Sequence, residues 1–540
     1  MTSNHEVTLP VLGGYTTFEN AMNQEKNMLH EFDRARNMDN LLTSFEDNRR
    51  EIEKTAAYHL RLSSSMTCKL APSKEWLNGS FNVCMPVYVK GPDGIPEPES
   101  HAIIRFPMPF ELGEPGYPGN VNEKLRCEVA TFIWIRENCP DVPIPHLLGF
   151  GLVGGQSFTT PENVPFITRM CWYLKRYIWW LCRYPLPCNF VPHGRSTMLE
   201  TGYLVMENVG SSEVKELLET WSKEHHNQEK RTNLFRGLSQ IILSLSQIPL
   251  PRIGSFTLDS DGVLRLSNRP LTLRVHALES DGIPTNISRT MTYPASDGYY
   301  NDILAYHDNR IIHQRNSIYG KRDARVQVAR LTMMRAVLHS FINRDLRDGP
   351  FLFRLTDLRP SNIFVDSDWN IKFIIDLEWA CSLPAEMLRV PFWVSARSLD
   401  GVYDEHISLF NERYQEFLDI LEEEEKLRPP INGVSSFRAD LMRTGFRTGN
   451  NWYFEALERP SVLFNMFEQH IHPIFVPEQG ISSGFGRLIS RYWSPDTWEF
   501  IAKKLEDQRK YERELCQQFG RYVEPLEETR SSHVRNRSSA

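Results

Sequence analysis

No C-x-x-C pair occurs among the nine cysteines, which stand singly between Cys68 and Cys516. Neither a zinc knuckle nor a redox dithiol is therefore expected, and an odd, dispersed set reads as free thiols in a reducing compartment. The P-loop pattern G-x-x-x-x-G-K-[ST] is missing. So is any uninterrupted run of the ~20 apolar residues that a transmembrane segment requires. The first residues, MTSNHEVTLPVLGG, lack the basic and apolar regions of a secretory signal. The expectation is a cytoplasmic protein, with the Asn-x-Ser sequons at Asn78, Asn286 and Asn536 as chance matches. Positive charge is scarce too: 61 Lys+Arg face 68 Asp+Glu, for a net charge of −7. That argues against a nucleic-acid partner held through a basic surface. No repeat of 20–50 residues is evident.

Large apolar side chains, by contrast, are plentiful. Twelve Trp, 19 Tyr and 30 Phe in 540 residues exclude a disordered, collagen-like or coiled-coil chain. The length is compatible with several domains or with one large two-lobed enzyme carrying insertions.

Along the chain, residues 1–70 read as a polar, helical N-terminal extension. FNVCMPVYVK (81–90) follows Gly79-Ser80 and has strand character, GPDGIPEPESH (91–101) is turn chemistry, and AIIRFP (102–107) is a short buried strand. NEKLRCEVATFIWIREN (122–138) has the spacing of a helix capped by Asn122. Residues 71–208 thus form a small α+β unit. From 209 to 527 helical segments dominate (212–223, 231–248, 326–343, 404–427 and 495–519), interrupted by a loop-rich stretch at 259–300. Residues 528–540 read as a disordered tail.

The most membrane-like stretch, Phe166–Val191, is broken by Arg169, Lys175, Arg176 and Arg183. Two readings compete: a helix on a membrane surface, and a buried or half-buried amphipathic helix, which is the expectation adopted here.

Two motifs fail on context. Gly149-Phe-Gly151-Leu-Val-Gly154 matches G-x-G-x-x-G, but QSFTTPENVP follows where a helix would have to open. Gly480-Ile-Ser482-Ser-Gly484 matches G-x-S-x-G, yet its only downstream His is His533 in the tail. His225-His226 and His470-Ile-His472 lack partners at metal-ligand spacing.

The segment LTDLRPSNIFVDSDWNIKFIIDLEWA (355–380) carries the strongest signal. Asp357 and Asn362 share one Pro-containing loop, then two short strands around a turn at 366–368 lead to Asp376. Two carboxylates and an amide oxygen would meet there, a donor set that suits Mg²⁺. This is the pattern of a kinase-type phosphotransferase core. Asp357 would accept the proton of an attacking hydroxyl, Asn362 would hold Mg²⁺, and Asp376 would bridge metal and nucleotide phosphates. The competing reading is an Asp/Asn-rich β-hairpin with capping residues.

Upstream, Gly79 and Ser80 open a turn whose backbone N–H groups would cover the phosphates. Arg105 would neutralise them and Glu128 would pair with Arg105. Met206, Glu207 and Asn208 would form the linker whose backbone meets the adenine edge. A surface ion pair at Arg105 and a solvated helix position at Glu128 are the alternatives.

With GSFN (79–82), AIIRFP (102–107), EVATF (128–132), GYLVMEN (202–208), LSNRPLTL (266–273) and residues 355–380 together, the chain resembles the aminoglycoside phosphotransferase/choline kinase-like family, in its large fungal branch. The resemblance frames roughly residues 75–400. It implies an α+β, protein-kinase-like two-lobed fold with a small β-rich N-lobe and a large helical C-lobe with insertions. It implies ATP- or GTP-dependent phosphorylation of a hydroxyl on a small molecule, and it names no acceptor. Glu378, in Asp376-Leu-Glu378, resembles the D-x-E of choline-kinase-type enzymes, which implies a supporting role at the metal. Leu355 stands where many members have His, and Arg105 where most kinases have Lys, an exchange that alters geometry.

An active O-phosphotransferase is the first reading and a nucleotide-binding pseudokinase the alternative. No A-P-E pattern follows Asp376, which disfavours a protein kinase. The insert from about 211 to 316 and the helices after Asp404 are expected to shape the acceptor pocket. Glu279, Asp281, Asp308, Asp404 and Glu405 would there favour a cationic acceptor, solvated loop residues being the other explanation.

Overall fold

In the computed structural model the described residues are 7–63, 65–90, 102–194, 201–211, 213–397, 405–431, 433–477 and 483–521. The turn expected at 91–101, the G-x-S-x-G serine at 482 and the tail from 528 lie outside them.

Alternating apolar side chains build the main sheet. Its strands run in the order Thr67–Leu70, Asn82–Lys90, Ala102–Pro107, Tyr203–Glu207, Leu147–Gly151, Gln156–Thr159 and Val191–Gly194, with Leu77–Asn78 paired to Asn82–Lys90. Every pairing is antiparallel. Side chains two apart share a face. Val83, Met85 and Val87, with Ile104 and Phe106, face one core, closed by Phe45, Ile52 and Ala56. Those last three come from the helices Met28–Asp47 and Arg49–His59. By the same alternation Ile103 and Arg105 point to the opposite face, toward the helix Asn120–Asn138.

That helix is buried around most of its circumference over its first four turns, so Glu123, Lys124 and Glu128 are shut off from solvent, while Arg136 and Glu137 at its end are exposed. It begins two residues earlier than expected and Asn122 does not cap it. Gly119 occupies the cap position at φ 98°, and the Glu114 carboxylate accepts the N–H groups of Gly119 (2.6 Å) and Val121 (2.7 Å).

The first two glycines of the G-x-G-x-x-G match have a packing role. A Cβ at Gly149 would lie 2.1 Å from the His59 ring, and one at Gly151 would lie 2.4 Å from the Tyr203 ring. They sit on a strand over which aromatic rings close, and a second strand, not a helix, follows.

Beyond the sheet, long helices build the larger core: Gln228–Leu245, Ser296–His313, Lys321–Val337, Glu405–Lys426, Phe437–Thr448 and Asn450–Glu458. The expected helix at 212–223 is instead the strand Lys215–Glu216 followed by a short helix, Leu218–Glu224. The N-terminal segment ties distant parts together. Met28, Phe32 and Ala21 pack with Tyr511, Leu515 and Phe519 of the last helix and its end, and the Met28 N–H donates to the Tyr511 hydroxyl at 3.1 Å.

Phe166–Leu181 is a helix, but the expectation that it is buried or half-buried is overturned. Trp172 is its one buried residue, packed with Val164 and Val191.

Candidate functional site

Strand pairing assembles the 355–380 region. Phe351–Leu355 pairs with Ala380–Pro384, and Ile363–Val365 pairs with both Ile371–Ile374 and Lys215–Glu216. The loop between is fastened by the Thr356 N–H and hydroxyl donating to the Trp379 carbonyl (2.8 and 2.7 Å) and by the Trp393 indole donating to the Leu358 carbonyl (2.9 Å). These bonds hold the loop, and Leu355 packs against the large core.

Within the loop, Asn362 Nδ2 donates to the Asp357 carbonyl (2.9 Å) and to Asp357 Oδ2 (3.1 Å), and Arg359 lies 3.1 Å from the same oxygen. Asp357 Oδ1 accepts no hydrogen bond from the described residues. Burial pushes the Asp357 carboxyl up to about 6, against the pull of Arg359. The Ile375 N–H donates to the Asn362 carbonyl at 3.0 Å, which brings Asp376 alongside. Asp376 sits at φ 57°, ψ 62°, the left-handed region that a non-glycine residue enters at a cost of about 1–2 kcal/mol.

Arg105 spans the gap from the sheet. Its Nη1 meets Glu128 Oε1 at 2.8 Å, and its Nη2 meets Asp376 Oδ1 at 2.6 Å and Glu378 Oε1 at 3.0 Å. The Glu128–Arg105 pair expected from the sequence is present. Lys124, fully buried one turn before Glu128, was not singled out in the sequence. Its Nζ reaches Glu128 Oε2 (2.9 Å) and Asn82 Oδ1 (2.9 Å), while Asn82 Nδ2 donates to Glu378 Oε1 (3.0 Å). Its i, i+4 spacing to Glu128 was the available signal, masked because such pairs are usually solvated. Two cations thus face three carboxylates, leaving one negative charge in excess.

Three residues differ from their expected roles. Glu378 is committed to Arg105, Lys124 and Asn82, so it anchors the cations and offers no free oxygen to a metal; burial opposes its charge, but Arg105 and Lys124 hold it down at about 2. The Gly79 N–H closes the hairpin turn onto the Asn82 carbonyl at 2.9 Å and so does not face outward; Ser80 beside it is exposed. Asn82 is the residue of that turn that reaches the charge network. The Glu207 N–H donates to the His146 carbonyl (2.9 Å) and its carboxylate accepts the His146 N–H (3.0 Å), so this amide is not available to an adenine. Met206 is buried between the strands Ala102–Pro107 and Leu147–Gly151, and Asn208 Oδ1 accepts the Gly210 N–H at 3.3 Å.

Oxygen donors for a divalent cation remain on Asn362 and Asp376. With Asn362 Nδ2 turned to Asp357, its Oδ1 accepts, among the described residues, only the Ser361 hydroxyl (3.2 Å). Asp376 Oδ2 accepts no bond from the described residues. One carboxylate and one amide oxygen fit Mg²⁺, which keeps most of its shell for water and phosphate.

Beside Asp357 opens a cavity of about 220 Å³. The insert contributes Arg274, Tyr299 and Tyr306 to its wall, the loop strand Arg354, and the C-terminal helices Glu455 and Glu458. Arg389 and Arg459 also line it but are paired with Glu455, and Arg389 with Glu458 as well. Arg274 and Arg354 have no carboxylate partner among the described residues; Arg354 donates to the Met387 carbonyl at 2.6 Å. Burial lowers both guanidiniums from their ordinary value. The acids expected to favour a cationic acceptor lie elsewhere: Glu279 is paired with Arg269, Asp281 with Arg34 and Asp308 with Arg335. Asp404 and the Glu405 side chain lie outside the described residues.

No protein-family model matches the chain, and no curated protein does. Among solved structures, it is similar to the crystal structure of the macrolide 2'-phosphotransferase MphH from Brachybacterium faecium as the apoenzyme, with a TM-score of 0.29 and 11% identity over 80% of this chain and 99% of that one. A likeness of that degree decides neither fold nor activity.

Proposed function

We propose that this protein transfers the γ-phosphoryl group of ATP or GTP to a hydroxyl of a small molecule, and that the molecule bears an anionic group. The reading rests on the convergence of Asp357, Asn362 and Asp376, with a cavity opening beside Asp357. Asp357 Oδ1, without a hydrogen bond of its own, would accept the proton as the acceptor oxygen bonds to phosphorus, the bond to the β,γ-bridging oxygen breaks and the nucleoside diphosphate leaves. Asn362 and Asp376 would hold Mg²⁺, which supplies charge neutralisation to the triphosphate. Arg105, fixed by Glu128, is the sheet's cation nearest those groups. In the cavity, Arg274 and Arg354 are buried cations near Asp357, Glu455 and Glu458 but in direct ion-pair contact with no carboxylate of the described residues, so a carboxylate or phosphate on the acceptor would pair with them.

A second reading, a nucleotide-binding protein without transfer activity, is favoured by one observation: Arg105 holds Asp376 directly. Thermal shifts with Mg-ATP and Mg-GTP test both. Nucleotide at 100 times its Kd should stabilise the fold by about 2.7 kcal/mol. Stabilisation with phosphoryl transfer supports the first reading, stabilisation without transfer the second, and no stabilisation overturns both.

A further inference from the structure

We propose that the helix Phe166–Leu181 docks this protein onto the surface of an anionic phospholipid bilayer. At 100° per residue, Ile167, Met170, Leu174, Tyr177, Ile178 and Leu181 fall within one arc of about 100°, and all are exposed: Ile167 by 75%, Leu174 by 60% and Leu181 by 64%. Trp172, on the far side, fastens the helix to the protein. The helix therefore turns its widest apolar face to solvent, the reverse of an ordinary surface helix.

Charge selects the occupant. Lys175 flanks that face on one side and Arg169 on the other, Arg183 follows the helix, and Arg176 lies on the side of Trp172 and donates to Asn189 Oδ1 at 2.6 Å. No Asp or Glu occurs between Glu162 and Glu200, in a chain whose net charge is −7. Apolar residues flanked by Lys and Arg match a layer of phosphate headgroups over acyl chains. Trp180 and Tyr173, both exposed, are rings suited to the headgroup level. A second copy fits less well, because two such faces meeting symmetrically would bring their basic borders together. Sixteen residues span about 24 Å at 1.5 Å each, short of the ~30 Å hydrocarbon core. Among the described residues no helix is long and apolar enough to cross a membrane. The helix would lie in the interface. It connects the last two strands at one edge of the sheet, Gln156–Thr159 and Val191–Gly194, several strands away from Arg105, so docking and the Arg105 site occupy different parts of the sheet.

The test is flotation of the full-length chain with vesicles of phosphatidylcholine alone and with about 30% phosphatidylserine. The expected result is association with the anionic vesicles only, weakened by salt. Ile167→Ser/Leu174→Ser/Leu181→Ser should abolish it with thermal stability unchanged, since all three side chains are exposed. Lys175→Gln/Arg183→Gln should weaken it by about 25-fold, two charges each contributing about fivefold. Equal binding to neutral vesicles, undiminished binding by the triple variant, or no binding by the folded wild type would overturn the proposal. So would a wild-type dimer that the triple variant turns monomeric without any vesicle binding, which assigns the face to a second copy.

Discussion

Arg105 Nη2 lies 2.6 Å from Asp376 Oδ1, and the same guanidinium reaches Glu128 and Glu378. One side chain from the middle of the sheet thereby fixes a carboxylate at the end of a distant hairpin. Arg105→Lys keeps the charge but not the fork. Phosphoryl transfer is expected to fall by more than about tenfold while the protein remains folded; this rests on Asp376 losing its position, an effect of at least about 1.4 kcal/mol. Steady-state kinetics beside a melting curve measure both.

Lys124 and Glu128 form a buried pair inside a network, in which removing Lys124 leaves Glu128 to Arg105 alone and removing Glu128 leaves Lys124 only Glu378 and Asn82. Lys124→Met should cost about 3–5 kcal/mol of stability, and Glu128→Gln on the same background should restore part of it. Denaturant unfolding of the two single variants and the double measures the coupling. Strictly additive losses would mean the two side chains act separately.

How much of this was legible in the sequence varies by residue. The loop at 357–362 and the hairpin leading to Asp376 were visible because strand alternation and turn residues are local signals. Arg105 was visible as a charge inside an apolar strand, and its partner Glu128 followed. Lys124 and Asn82 were not assigned, because an i, i+4 Lys–Glu pair is ordinarily solvated and only the packing of the Asn120–Asn138 helix buries this one. The arginines of the cavity come from segments far apart in the chain, which no spacing rule connects. The Phe166–Leu181 helix was misjudged for a related reason: periodicity locates an apolar face but not what covers it.

Cavity charge gives a kinetic signature. Arg274→Gln should raise KM for an anionic acceptor roughly tenfold to a hundredfold, the range for one charge-assisted hydrogen bond, with kcat little changed. A preference for cationic acceptors, or no change in KM, would contradict the assignment.

Acid stability should depend on His307. Its Nε2 donates to the Leu457 carbonyl, and burial drives the imidazole down to about 3. The unfolded chain then binds a proton below its ordinary value of 6.5 that the folded chain refuses, so stability is lost as pH falls from 6.5 toward 3. The slope from this one residue is at most about 1.4 kcal/mol per pH unit. Glu386, raised by burial to about 6, acts in the opposite sense between 4.5 and 6. His307→Phe should flatten the melting temperature between pH 6.5 and 4 relative to wild type; an unchanged profile would remove His307 as a cause.

Phosphoryl transfer from γ-labelled ATP and GTP to a panel of hydroxylated carboxylates and phosphates, run with wild type and Asp357→Asn, is the most direct measurement. Wild type is expected to label at least one acceptor, and Asp357→Asn to lose roughly 10²–10⁴ in rate while still being stabilised by the magnesium nucleotide. Undiminished transfer by Asp357→Asn, or a wild type that neither binds nucleotide nor labels any acceptor, would contradict the phosphotransferase reading.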